Sequence, residues 1–117
     1  MMLRVNEKHM RELDKLVGDP GFSDRYSLLS FALSIGIFMD KKKDPPSGKS
    51  ELHDTLDINI WPTVRMIFYM RNGTMEPTKV RSEAERYLAG GLQMIMDRAG
   101  GKNELDSLEA LIDLLPP

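Results

Sequence analysis

Cysteine is missing from this 117-residue chain, so no disulfide, thiolate nucleophile or cysteine-based zinc site can form. Histidine is scarce. His9 and His53 stand far apart, neither has a second histidine on its helical face, and His53 with Asp57 supplies two ligands where a metal needs three or four. We therefore read both as surface histidines. An excess of positive charge is also missing: 16 Lys and Arg face 18 Asp and Glu, a net charge of −2, whereas a strong grip on nucleic acid depends on clustered cations. The longest apolar run, Ser27 to Met39, is too short to span a bilayer and is broken by Ser30, Ser34 and Gly36. No charged-then-apolar leader opens the chain. We expect a cytoplasmic protein with no metal, no cofactor and no membrane partner.

Catalytic groupings are missing as well. The pairs Gly90-Gly91 and Gly100-Gly101 lack the strand-turn-helix setting and the Gly-Lys-Ser/Thr ending of a nucleotide loop, and read as helix punctuation. Glu83 and Glu85 point to different faces of a helix. Glu104, Asp106, Glu109 and Asp113 are explained by a solvated helix face. No serine sits in a nucleophile elbow. Catalytic residues are expected to be none, and the chain is read as not an enzyme.

What is present is a helical pattern behind a short strand. Hydrophobic residues at 41% suffice for one core. Met1 to Asn6 alternates apolar and polar, placing Leu3 and Val5 on one face and Arg4 and Asn6 on the other. Asn6 can cap the helix that follows, in which Met10, Leu13, Leu16 and Val17 recur at helical spacing. Gly18 and Pro20 stop it, and Ser23 is a good cap for the next, with Asp24 at the positive end of its dipole. That second helix, about Asp24 to Asp40, is apolar nearly all round. It belongs either at the centre of one chain's core or between two subunits. Lys41 to Ser50 reads as a flexible connector, its three lysines either touching phosphate or ending the helix in solvent. Residues 51–59 are ambiguous between a strand and an irregular approach. Further helices are expected from Trp61 or Pro62 to Arg71, closed by Asn72-Gly73, and from Thr78 to about Ala99. In the latter, Gly90-Gly91 either bends the helix or admits a neighbouring backbone. Leu105, Leu108, Leu111, Ile112 and Leu115 give a last amphipathic helix.

One short strand followed by two helices is the outline of a ribbon-helix-helix module, in which strands paired between two chains enter a DNA groove. On that outline Arg4 and Asn6 would meet bases, arginine suiting guanine and asparagine adenine. Ser23 and the amides opening the second helix would hold a phosphate, reinforced by Arg25. The structural alternatives are that Asn6 and Ser23 are caps and that Arg4 and Arg25 are solvated charges. Charge distribution leans mildly toward a DNA-facing N-terminal part: residues 1–50 hold nine cations and seven anions, residues 51–117 seven and eleven.

Over most of residues 3–115 the chain also resembles the small proteins associated with DNA-phosphorothioation (Dnd) systems. The resemblance is carried by Arg4-Val5 with its helix pair and by the Lys/Pro-rich joint. Above all it lies in Glu85-Arg86-Tyr87-Leu88-Ala89-Gly90-Gly91-Leu92, with Leu108-Glu109-Ala110-Leu111-Ile112 beyond. It implies an accessory protein of a bacterial or archaeal DNA-modification and restriction locus, and carries over no catalytic residue.

The expectation is thus an all-α protein of about five helices, with a short N-terminal strand forming a ribbon-helix-helix-like homodimer. Residues 1–43 would be a strand-helix-helix module, 44–58 a linker, and 59–117 a helical part packed on the first. The leading function is a non-enzymatic, DNA-associated accessory or regulatory protein. The alternative is a protein-interaction subunit without DNA contact, favoured by the acidic C-terminal half and by Met66, Met70, Met94 and Met96, since methionine adapts to irregular surfaces.

Overall fold

Asn6 stands where the chain changes from strand to helix, and its side chain makes the change: Oδ1 accepts the Lys8 amide proton at 2.9 Å. In the computed structural model, which describes residues 2–18, 21–44, 49–55, 61–73 and 76–99, β1 (Met2–Asn6) ends there and α1 (Glu7–Leu13) begins. A single 3-10 turn, Asp14–Leu16, finishes α1. The turn beyond it closes through Gly18 N–H to the Phe22 carbonyl and Phe22 N–H to that of Leu16. Next come α2 (Arg25–Phe38), β2 (Ser50–Asp54), α3 (Trp61–Asn72) and α4 (Pro77–Ala99). Asp24, not Ser23, caps α2, accepting from the Ser27 amide at 2.8 Å. Glu76 caps α4 through Thr78 and Lys79 N–H. Gly73, at φ +70°, closes α3 in the left-handed conformation expected of Asn72-Gly73.

The fold is mostly helical but not strictly all-α, and the described residues form four helices rather than five. The expected last helix, with Gly100-Gly101 before it, lies outside the described residues. So do Pro20, residues 45–48 and residues 56–60. The strand is present, but its partner differs from the expectation. β1 pairs antiparallel with β2 of its own chain, Leu3 opposite His53 and Val5 opposite Glu51. Residues 51–54, ambiguous in sequence between a strand and an irregular approach, belong to that strand. Its alternation is obscured because both faces of Ser50–Asp54 remain partly exposed, so no apolar period marks it.

The core lies between the sheet and the α2–α4 pair. Leu3 and Val5 point into it from β1, Met10 and Leu13 from α1, Leu28, Leu29 and Leu33 from α2, and Leu88, Leu92 and Ile95 from α4. α2 is a central helix within one chain; Leu28, Leu29, Ala32, Ile35 and Gly36 are all buried by it. It crosses α4 where Ala32 and Gly36 meet Tyr87 and Gly91. A Cβ on Gly91 would lie 2.6 Å from the Ala32 carbonyl carbon, so hydrogen in that place is what lets the two backbones touch. Gly90 does the same for the chain leaving α2: a Cβ there would lie 2.6 Å from the Lys41 carbonyl carbon. The pair therefore admits two neighbouring segments. Residues 41–43 are laid along α4 in consequence, with Lys43 N–H donating to the Arg86 carbonyl and Lys42 Nζ 2.8 Å from Glu83.

Candidate functional site

The four residues expected at a DNA interface each make a contact within the chain while staying at least partly exposed. Arg4 turns to α4, where its Nε donates to Glu85 Oε2 at 2.8 Å. Its backbone N–H donates to the same oxygen at 2.8 Å, and Arg81 Nε lies 3.8 Å from the other. Glu85 is almost wholly buried, and a carboxylate removed from water needs such compensation. The hydrogen bond and charge of Glu85 raise the Arg4 pKa further. Arg25 bridges Asp14 (Nε to Oδ1 3.0 Å, Nη2 to Oδ2 2.7 Å) and Glu51 of β2 at 3.2 Å, a fork-to-fork contact that raises its pKa. Asn6 is the cap of α1. The Ser23 hydroxyl shares a hydrogen bond with that of Ser27 at 3.1 Å.

These contacts explain the altered pairing of β1. A strand can zip to a second subunit only along a free edge. One edge of β1 carries β2, and on the other the Arg4 amide is held by Glu85 of α4. Arg4 and Glu85 are 81 residues apart, so no local spacing could have announced the pair. Beside it, Thr78, Ser82 and Arg81 complete a shallow cavity of about 440 Å³.

His9 is buried, against its reading as a surface residue. Nε2 lies 3.0 Å from Gln93 Oε1, the same oxygen that accepts from Lys43 Nζ at 2.8 Å, while Nδ1 finds no partner among the described residues. Burial lowers its pKa; the Gln93 bond opposes this and the Lys43 charge adds to it. His53 is half-buried at 2.9 Å from Glu51 Oε2. Among the described residues no three His, Asp or Glu side chains come together as metal ligands, and no helix is long and apolar enough to cross a membrane.

Among the described residues, an exposed apolar groove lies between α2 and α3. Ile37, Val64 and Ile67 floor a groove of about 470 Å³, with Phe38 on one wall and Arg71 at one end. Phe38 is 59% exposed, and Met66 and Met70, one turn apart on α3, are 51% and 78% exposed. Of the four methionines singled out by sequence, these two are open, whereas Met94 and Met96 pack against the core. Phe38 was not distinguishable from the buried residues of α2, since a helix apolar on all sides does not reveal where its cover stops.

Comparison with models of protein families, with curated proteins and with solved structures finds no match in any of the three.

Proposed function

We propose that this protein is a non-enzymatic accessory subunit that works by binding another protein through the α2–α3 face. The carrying observation is the open groove lined by Ile37, Phe38, Val64 and Ile67, on a helix pair that also exposes Met66 and Met70. Contiguous exposed apolar surface rimmed by polar groups is characteristic of a contact site. The guanidinium groups of Arg4 and Arg25 each have carboxylate partners within the chain, Glu85 for the first and Asp14 and Glu51 for the second, which supports the protein-contact reading. Placement in a DNA-modification and restriction system rests on the sequence resemblance alone.

Direct DNA contact is the second reading. It is favoured by the half-exposed guanidinium groups of Arg4 and Arg81, which lie beside Thr78 and Ser82 and together outnumber Glu85 in charge. Titrating labelled duplex DNA at low and high salt separates the two. The protein-contact reading expects no salt-sensitive binding. Binding that weakens with salt and is lost in Arg4→Ala, with the fold checked by circular dichroism, would overturn it in favour of the second.

A further inference from the structure

Both edges of β1 are taken, but the sheet has a second strand. We propose that a second copy of this chain adds to the outer edge of β2, strand against strand about a two-fold axis at Leu52, in one antiparallel sheet of order β1-β2-β2-β1. The contact lies on the sheet and does not use the α2–α3 groove.

The backbone fixes which groups face that edge. In an antiparallel pair, opposed residues alternate between those that bond each other and those whose N–H and C=O point outward. The Arg4 amide donates to Glu85 and so points away from β2. Arg4 stands opposite Leu52, which makes this an outward pair. Leu52 therefore turns its N–H and C=O away from β1, with Ser50 and Asp54 in the same phase, while Glu51 and His53 bond to Val5 and Leu3. Among the described residues only β1 pairs with β2, and none bonds the outward groups of Leu52. Its side chain is 55% exposed, so nothing covers the middle of the strand.

The sequence of β2 names the occupant. A two-fold antiparallel pairing must set outward residues opposite outward residues, which leaves few registers. An axis at Glu51 opposes two glutamates and an axis at Asp54 two aspartates, and like charges directly opposite are destabilising. An axis at Ser50 or His53 leaves part of the strand without a counterpart. With the axis at Leu52 all of Ser50–Asp54 is paired: leucine meets leucine, Ser50 meets Asp54 of the second copy, and Glu51 meets its His53. Glu51 keeps Arg25 and the His53 of its own chain throughout, because the register needs opposed groups of unlike charge rather than unpaired ones. A second copy brings this match by symmetry, since β2 is its own complement.

The test uses the full chain. Two short strands make a small contact, so sedimentation velocity should show monomer at about 1 µM and dimer at about 100 µM. Leu52→Pro removes the N–H on the axis and spares the β1 ladder, and Leu52→Asp opposes two carboxylates there. Each should lower the association constant at least about tenfold, with the fold checked by circular dichroism. Should Leu52→Pro fail to fold, Leu52→Asp carries the measurement alone. The chain has no cysteine, so Leu52→Cys supplies a single thiol. Opposed residues of a bonded pair lie about 5.5 Å apart at Cα, within disulfide reach. Mild oxidation should cross-link Leu52→Cys at least about tenfold faster than Met70→Cys, an exposed site on α3. A monomer at about 100 µM overturns the proposal, as does a dimer indifferent to substitution of Leu52. Equal or faster cross-linking of Met70→Cys overturns it too, and places the second copy elsewhere.

Discussion

Gly91→Ala adds a single methyl group, and two effects of opposite sign compete for the outcome. In an isolated helix alanine is better than glycine by about 1 kcal/mol, so α4 by itself would gain. In the folded chain the new Cβ meets Ala32 backbone, 2.6 Å from its carbonyl carbon and 3.2 Å from its Cα. Carbon atoms pack best at roughly 3.5–4.0 Å, so α2 and α4 must part by roughly 1 Å. A gap of that size forfeits about a quarter to a half of the dispersion attraction across the seam. The seam is lined by Leu28, Leu29 and Leu33 on one side and Leu88 and Leu92 on the other. Overpacking typically costs about 1–3 kcal/mol, and an obstacle made of backbone places this site at the upper end. The net expectation is a loss of about 2 kcal/mol, or a melting temperature lower by about 10 °C. Urea unfolding followed by far-UV circular dichroism measures it. Gly36→Ala should act similarly, because its Cβ would lie 2.9 Å from the Tyr87 carbonyl carbon, and the double variant should lose less than the sum. An unchanged or higher midpoint for Gly91→Ala would refute direct contact between the two backbones.

The pH dependence should follow His9, whose folded pKa is lowered chiefly by burial. The unfolded chain then takes up the proton first, so stability is complete above the unfolded value of about 6.5 and falls as the pH drops below it. The slope of one proton is at most about 1.4 kcal/mol per pH unit, and His9→Gln should remove that slope from urea midpoints measured between neutral and mildly acidic pH. Identical slopes in the two proteins would place the titration elsewhere. At the start of α2 the cap is Asp24, so Asp24→Ala should cost about 1 kcal/mol while Ser23→Ala, which loses only an exposed hydroxyl contact, stays within about 0.5 kcal/mol. The reverse order in thermal melts would restore Ser23 as the cap.

Local chemistry along the chain determined much of this protein. Leu3 and Val5 on one face of a strand, the Asn6 cap, the apolar α2, the Asn72-Gly73 stop and the span of α4 follow from period and capping, which act over a few residues. Gly90-Gly91 announced a bend or a close approach, and the fold chose the approach, one glycine for α2 and one for Lys41. Tertiary structure alone decided the partner of β1, because β2 is short, shows no alternation and lies in a stretch whose sequence is ambiguous between strand and irregular structure. It decided that Arg4 pairs with Glu85 and Arg25 with Asp14 and Glu51. It decided too that His9 is buried, and that among the described residues Phe38 stands open beside a groove between α2 and α3. Such pairings join residues from 11 to 84 positions apart, and what brings them together is burial of a shared core, which no local spacing encodes.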